Sequence, residues 1–171
     1  DYYWTPELAY RDRLIIPFYY EKRVVGWTAR TVNSDKKPRY LTQAQPGFVY
    51  GLDEQSPNKV FCILVEGQVD AIHVDGCAIG GSEINDQQAL LLNRLQKQII
   101  VVPDRDKSGS KLVEQAIDYG WSVSMPEWSQ DIIDVGDAVS KYGRLYALHS
   151  IVSASEDSAL KIKLRAKKWF G

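Results

Sequence analysis

Cysteine, histidine and methionine are scarce in this 171-residue chain, which holds two, two and one of them. Cys62 and Cys77 form neither a CxxC pair nor part of a metal quartet, so a zinc module and a disulfide framework both lack their raw material. Both cysteines are expected as small core residues. No apolar run approaches the roughly 18 residues that span a bilayer. The opening Asp-Tyr-Tyr-Trp lacks the basic-then-apolar order of a signal peptide. A soluble, cytoplasmic protein without membrane contact is therefore expected. Neither sign of charge dominates, with 21 Lys and Arg against 22 Asp and Glu. That balance neither announces nor excludes a nucleic-acid partner, because acidic site residues can cancel a basic patch elsewhere. Internal repeats and low-complexity segments are absent. The chain begins with Asp rather than Met, which points to a piece of a longer polypeptide with further modules.

What is present divides by rhythm. From Arg13, an apolar stretch runs through Leu14-Ile15-Ile16-Pro17-Phe18, breaks at Glu21-Lys22-Arg23, and resumes at Val24-Val25-Gly26-Trp27. This reads as a β-hairpin with a charged turn. Thr31 to Gly47 is polar, carries Pro38 and Pro46, and has room for one brief strand at Tyr40-Leu41. Residues 1–58 are thus read as a small antiparallel β subdomain.

At Lys59 the pattern changes. Val60-Phe61-Cys62-Ile63-Leu64-Val65 and Gln98 to Pro103 are nearly unbroken apolar runs of strand length, the mark of buried parallel strands. With short strands near Gly76–Gly81 and Trp121–Met125, and helices over 68–75, 86–96 and 109–119, four strands alternate with three helices. That alternation predicts an α/β domain over 59–143 with a central, mostly parallel four-stranded sheet flanked by helices, whose site lies at the carboxyl ends of the strands. Residues 144–171 read as one or two C-terminal helices.

Acidic residues collect at those strand ends. Glu66 closes the first buried strand and Asp70 follows one helical turn later. A Glu-Gly-x-x-Asp pattern by itself also suits a helix N-terminus, where carboxylates complement the dipole. The second buried strand closes on Asp104-Arg105-Asp106-Lys107-Ser108-Gly109, and carboxylates at i and i+2 of extended chain point the same way. Two hard oxygen donors there suit Mg²⁺, which takes one or two carboxylates together with waters and substrate phosphates. The string also mimics the first half of an EF-hand, but Gln115 stands where a bidentate Glu is wanted and the segment follows a strand. It resembles the nucleophile motif of haloacid-dehalogenase phosphatases as well, although Glu66 and Asp70 occupy an earlier strand end than that order anticipates. A third acidic group, Asp134 and Asp137, precedes a helix after the next strand. Three successive acidic strand ends are far less expected by chance than any one.

Val65-Glu66-Gly67-x-x-Asp70 and Asp104-x-Asp106-x-x-Gly109 resemble the motif pair of TOPRIM domains. Their flanks are similar to the catalytic core of bacterial and phage-type DNA primases. These flanks are Arg13 to Pro17, Val25 to Arg30, Pro38-Arg39-Tyr40-Leu41 and Asp134-Val135-Gly136-Asp137. Arg39 stands where Lys is usual, which keeps the charge and changes its shape. The resemblance implies the TOPRIM fold and Mg²⁺- or Mn²⁺-dependent synthesis of short RNA primers on single-stranded DNA from ribonucleoside triphosphates. It implies a metal held by Glu66, Asp104, Asp106 and Asp134, with Glu66, Asp70, Asp104 and Asp106 at the chemistry. Arg30, Arg39 and Tyr40 become candidates for nucleotide or template contact, the alternative being an exposed salt bridge on a hairpin. A zinc-binding module and a helicase, in the parent chain or in trans, are the expected partners. Competing readings are a TOPRIM-type metal-dependent nuclease and a non-catalytic nucleic-acid-binding module. In the C-terminal helix, Lys161, Arg165 and Lys168 fall on one face, with Leu160 and Leu164 expected on a packed one. His73 and His149 are read as structural.

Overall fold

The computed structural model describes residues 2–33 and 35–171. Asp1, from which the reading of a cut piece starts, and Ser34, inside the polar stretch, lie outside the described residues. The chain divides into two compact units, 1–48 and 49–171.

The first unit is an antiparallel meander of β1 (Arg13–Tyr20), β2 (Arg23–Thr31) and β3 (Tyr40–Ala44), in that spatial order. The hairpin expected from the charge pattern is present. Glu21 and Lys22 form its two-residue turn, both at positive φ (50° and 63°), the geometry that matches the twist of the flanking strands. Pro17 is tolerated because β1 lies at the edge of this sheet, where its missing N–H leaves no central ladder bond unmade. Ile16, Phe18 and Ala29 are buried, and Phe18 stacks on Phe48 at 5.4 Å between ring centroids. The brief strand foreseen at Tyr40-Leu41 extends to Ala44. Arg13 is the unexpected core member. Only 5% exposed, it donates to the carbonyls of Ala29 (3.1 Å), Arg39 (3.4 Å) and Pro38 (2.8 Å), fixing the polar stretch against the strands.

The second unit holds β4 (Phe61–Val65), β5 (Cys77–Ala78), β6 (Gln98–Val101), β7 (Ser122–Ser124) and β8 (Ser155–Glu156) in the order β5-β4-β6-β7-β8. The first four are mutually parallel, and β8 adds antiparallel to β7. The two apolar runs are the central strands, with Cys62 to Val65 and Ile99 to Val102 all at most 3% exposed. Cys62 and Cys77 are free and buried, as their small size suggests. Six helices follow the alternation: α1 (Gln68–Val74), α2 (Asp86–Arg94), α3 (Gly109–Asp118), α4 (Val135–Tyr142), α5 (Arg144–Ser153) and α6 (Ala159–Phe170). Their packing joins α1 with α4 and α5, and α3 with α6. A capping box opens α2: Asn85 Oδ1 accepts from the Gln88 amide at 3.0 Å and Gln88 Oε1 accepts from the Asn85 amide at 3.1 Å. Among the described residues no helix is long and apolar enough to cross a membrane.

The break in sequence rhythm at Lys59 comes about ten residues after the break in packing at Phe48. The stretch between them joins the second unit because Tyr50 and Ala78 exchange backbone bonds of 2.8 and 3.1 Å. Residues 144–171 also belong to this unit, since β8 completes its sheet and α6 packs on α3. The apolar face expected on α6 is corrected. Leu160 and Leu164 are 70% and 58% exposed, while Ile162 and Trp169, seven residues apart, are buried. The basic face is neutralised within the fold: Lys161 and Arg165 lie 3.5 and 3.7 Å from Glu156, and Lys168 lies 3.2 Å from Glu127.

Candidate active site

The three acidic strand ends form one electrostatic cluster. β4 delivers Glu66 just before α1 begins, and Asp70 occupies the first turn of that helix. Asp70 Oδ1 accepts the Gly136 amide at 2.8 Å, so it sits against the first turn of α4. Asp134 is the N-cap of α4 and accepts from the Asp137 amide at 2.7 Å. Gly136 is what lets both carboxylates approach. A Cβ at that position would stand 2.9 Å from Asp70 Oδ1 and 3.3 Å from Asp134 Oδ1. Asp137, expected in the same acidic group, turns back to accept from the Ile133 amide at 3.2 Å and serves the cap.

After β6 the chain turns sharply over Asp104 into α3. Gly109 permits the turn, because any Cβ there would overlap the Asp104 carbonyl. Asp106 Oδ1 accepts three bonds, from the Ser108 amide (2.8 Å), the Ser108 hydroxyl (2.6 Å) and the Gly109 amide (3.0 Å). Those donors hold the Asp106 carboxyl below its ordinary range, the Ser108 hydroxyl contributing most.

Its neighbours shift the other way. Burial, and then the Asp106 charge, push Glu66 up to about 7, against the pull of the Asp104 amide and Ser108 hydroxyl. Burial raises Asp104 to about 8, with Glu66, Asp70, Asp134 and Asp106 all adding to the shift. Asp70 is raised by burial and by Asp134, while the Gly136 amide and His73 oppose the rise. Glu66, Asp70 and Asp104 are thus each raised in part by another of the predicted carboxylates, Asp106 and Asp134 among them. Glu66 Oε1 is buried with no hydrogen-bond partner. Like charges gathered with a buried unpaired oxygen are what a bound cation relieves. The donors are all hard oxygens, which fits Mg²⁺ or Mn²⁺ rather than a soft metal. Among the described residues no three such donors converge tightly enough to enclose an ion by themselves. A cation here would complete its shell with water or substrate oxygens.

The first unit carries the other candidates. Arg30 and Tyr40 are register partners across β2 and β3, and Tyr40 is 37% exposed. Arg30 and Arg39 stand 5.8 and 5.9 Å from its ring centroid. Neither arginine has an acidic partner among the described residues, so the salt-bridge alternative is not what the structure holds.

Three neighbours of the acidic cluster carried no functional reading from the sequence. Ser108 was passed over although a hydroxyl two residues past a carboxylate is a common turn donor. His73 lies near Asp70 and Gly136, one helical turn along α1, a spacing that could have been read. Arg105, the residue between the two carboxylates, donates to the carbonyls of Ser129 and Trp128 and to neither carboxylate.

No protein-family model matches the chain. The DNA primase of Aquifex aeolicus (strain VF5) is 25% identical in an alignment covering 86% of this chain and 34% of that protein. The chain therefore spans about a third of the length of that curated relative. A DNA primase domain from Pseudomonas aeruginosa superposes with a TM-score of 0.72 at 22% identity, over 96% of this chain and 59% of that one. A DnaG primase catalytic domain bound to single-stranded DNA gives 0.72 at 19% identity, over 92% and 56%. With its TOPRIM motif carboxylates at the strand ends where the resemblance implies them, the chain has the fold of the DNA primase catalytic core.

Proposed function

We propose that this chain is the catalytic core of a DNA primase, a nucleotidyltransferase that joins ribonucleotides on a single-stranded DNA template. The observation supporting this reading is the set of acidic strand ends, Glu66, Asp70, Asp104, Asp106 and Asp134, within that fold, with Glu66 and Asp104 raised to about 7 and about 8 by burial and by the neighbouring carboxylates. Asp106, held ionised by Ser108, is the ready ligand for Mg²⁺ or Mn²⁺; Asp104 joins it on losing its proton, and Glu66 and Asp134 flank them. A divalent cation bound there supplies positive charge for phosphoryl transfer. In the reaction the 3′-hydroxyl of the growing strand attacks the α-phosphorus of a ribonucleoside triphosphate, and pyrophosphate leaves in line. Glu66, raised to about 7, is suited to accept the hydroxyl proton near neutral pH.

Arg30 and Arg39 offer two unneutralised guanidinium forks for phosphate oxygens, and exposed Tyr40 offers a ring face for a base. One structural neighbour is a primase catalytic domain bound to single-stranded DNA, which supports the template assignment. Another is a primase solved with its zinc-binding and RNA polymerase domains, which supports a zinc module as partner; a helicase, in the parent chain or in trans, is proposed with it.

The test follows labelled ribonucleoside triphosphates and single-stranded DNA on one gel, with Mg²⁺ or Mn²⁺, for the unmodified chain and Asp104→Ala. Short template-dependent oligoribonucleotides that vanish in the variant are expected. Degradation of the template, also lost in the variant, would move the assignment to a nuclease.

A further inference from the structure

Arg105 lies between Asp104 and Asp106 in the turn that follows β6, and its side chain bonds to the segment 128–129 rather than to either carboxylate. Its surroundings are specific. The Arg105 amide donates to the Ile133 carbonyl at 2.7 Å. Nη1 donates to the Ser129 carbonyl at 3.0 Å, and Nη2 reaches the Trp128 carbonyl at 3.5 Å. The guanidinium carbon lies 3.9 Å from the ring centroid of Trp169, a residue of α6 that is only 7% exposed. No ion pair engages Arg105 among the described residues, so its charge is met by carbonyl dipoles and an indole face.

The carbonyls it grips belong to the segment that ends in Asp134, the N-cap of α4, and α4 in turn offers the Gly136 amide to Asp70. One side chain thus joins the Asp104–Asp106 turn, the segment carrying Asp134, and the C-terminal helix. A planar fork can hold two carbonyls while lying flat on an indole, a combination that the point charge of lysine cannot reproduce.

We infer that Arg105, seated on Trp169, is a positioning residue that sets the Asp104–Asp106 turn against the Asp134 segment and so makes α6 part of the working site. The inference rests on the proposed cation site, and groups behind metal ligands typically change metal affinity about 10- to 100-fold when removed.

The test uses the whole chain with Arg105→Met, Arg105→Lys, Trp169→Leu and Trp169→Phe. Two readouts are taken: amide exchange of the metal-free chain, and Mn²⁺ affinity from the spin-resonance signal of free Mn²⁺. Arg105→Met and Trp169→Leu are expected to speed exchange over 103–110 and 127–135 while β4 and β6 stay protected, and to weaken Mn²⁺ binding about tenfold. Trp169→Phe, which keeps an aromatic face, recovers most of both, and Arg105→Lys recovers less than half. Unchanged exchange in the two turns of Arg105→Met overturns the inference. So does equal loosening of β4 and β6, or a Trp169→Phe chain that behaves as Trp169→Leu. If Trp169→Leu does not fold, Arg105→Met carries the decision. A chain whose Mn²⁺ affinity ignores Asp104→Asn would sink the cation reading instead, and exchange in the metal-free chain would still decide the positioning role.

Discussion

The amide of Gly136 donates to Asp70 Oδ1 at 2.8 Å, tying the start of α4 to the first turn of α1 across 66 positions of sequence. The bond exists because residue 136 has no side chain. Gly136→Ala places a methyl group 2.9 Å from that oxygen and 3.3 Å from Asp134 Oδ1, so the Asp70 carboxylate must shift. The expected result is a loss of roughly 1–3 kcal/mol of stability and weaker Mn²⁺ binding, measured by thermal unfolding and metal titration on the same preparation. A variant with unaltered metal affinity would show that Asp70 and Asp134 lie outside the cation site.

Metal-free stability should fall as pH rises. Unfolded carboxyls titrate near pH ~4, whereas Glu66 and Asp104 in the folded chain are raised to about 7 and about 8. Between those values the folded state holds more protons than the unfolded one, so the unfolding free energy declines with pH. The loss begins above the unfolded value and is complete once pH passes the Asp104 value. Because both groups are partly solvated, the total is about 1–3 kcal/mol rather than the full shift. Unfolding temperatures in EDTA from pH 5 to 9 check this. Asp104→Asn should flatten the curve and leave the chain more stable than its parent at pH 9.

Arginines of the first unit should separate by role. Arg13 is buried on three carbonyls, of which that of Arg39 also accepts the Thr31 amide at 3.0 Å, and replacement by Met removes the donor they share, a loss of about 1–3 kcal/mol. Arg30→Ala and Arg39→Ala should leave unfolding within about 0.5 kcal/mol. Each should lower the salt dependence of single-stranded DNA binding by about 0.7 in the log–log slope. Binding measured across a salt series distinguishes the two behaviours; an Arg39→Ala chain with an unchanged slope would remove Arg39 from the template contact.

Legibility followed physical cause. The runs at 60–65 and 98–103 could be read as buried parallel strands because a strand covered on both faces is apolar throughout, and the carboxylates closing them followed from position. Gly67, Gly109 and Gly136 were visible only as spacing, since the overlaps that require Gly109 and Gly136 exist only between segments distant in sequence. β8 is two residues long in a polar stretch, with no alternation to betray it. On α6, Leu160 with Leu164 and Ile162 with Trp169 are both acceptable apolar stripes; tertiary packing, in which Trp169 meets Arg105 and Trp128, buries the second, which no periodicity can foretell. Arg105 carried no reading from the sequence, because its partners, Trp128, Ser129 and Trp169, are 23 to 64 positions away.

The most direct test of the account is proton release on cation binding. Mg²⁺ or Mn²⁺ is titrated calorimetrically at pH 7 in buffers of different ionisation enthalpy. With Glu66 at about 7 and Asp104 at about 8, binding should expel about one proton per ion, and Asp104→Asn should abolish most of that release. Binding without proton release, or release that survives Asp104→Asn, would contradict the claim that these carboxylates form the cation site.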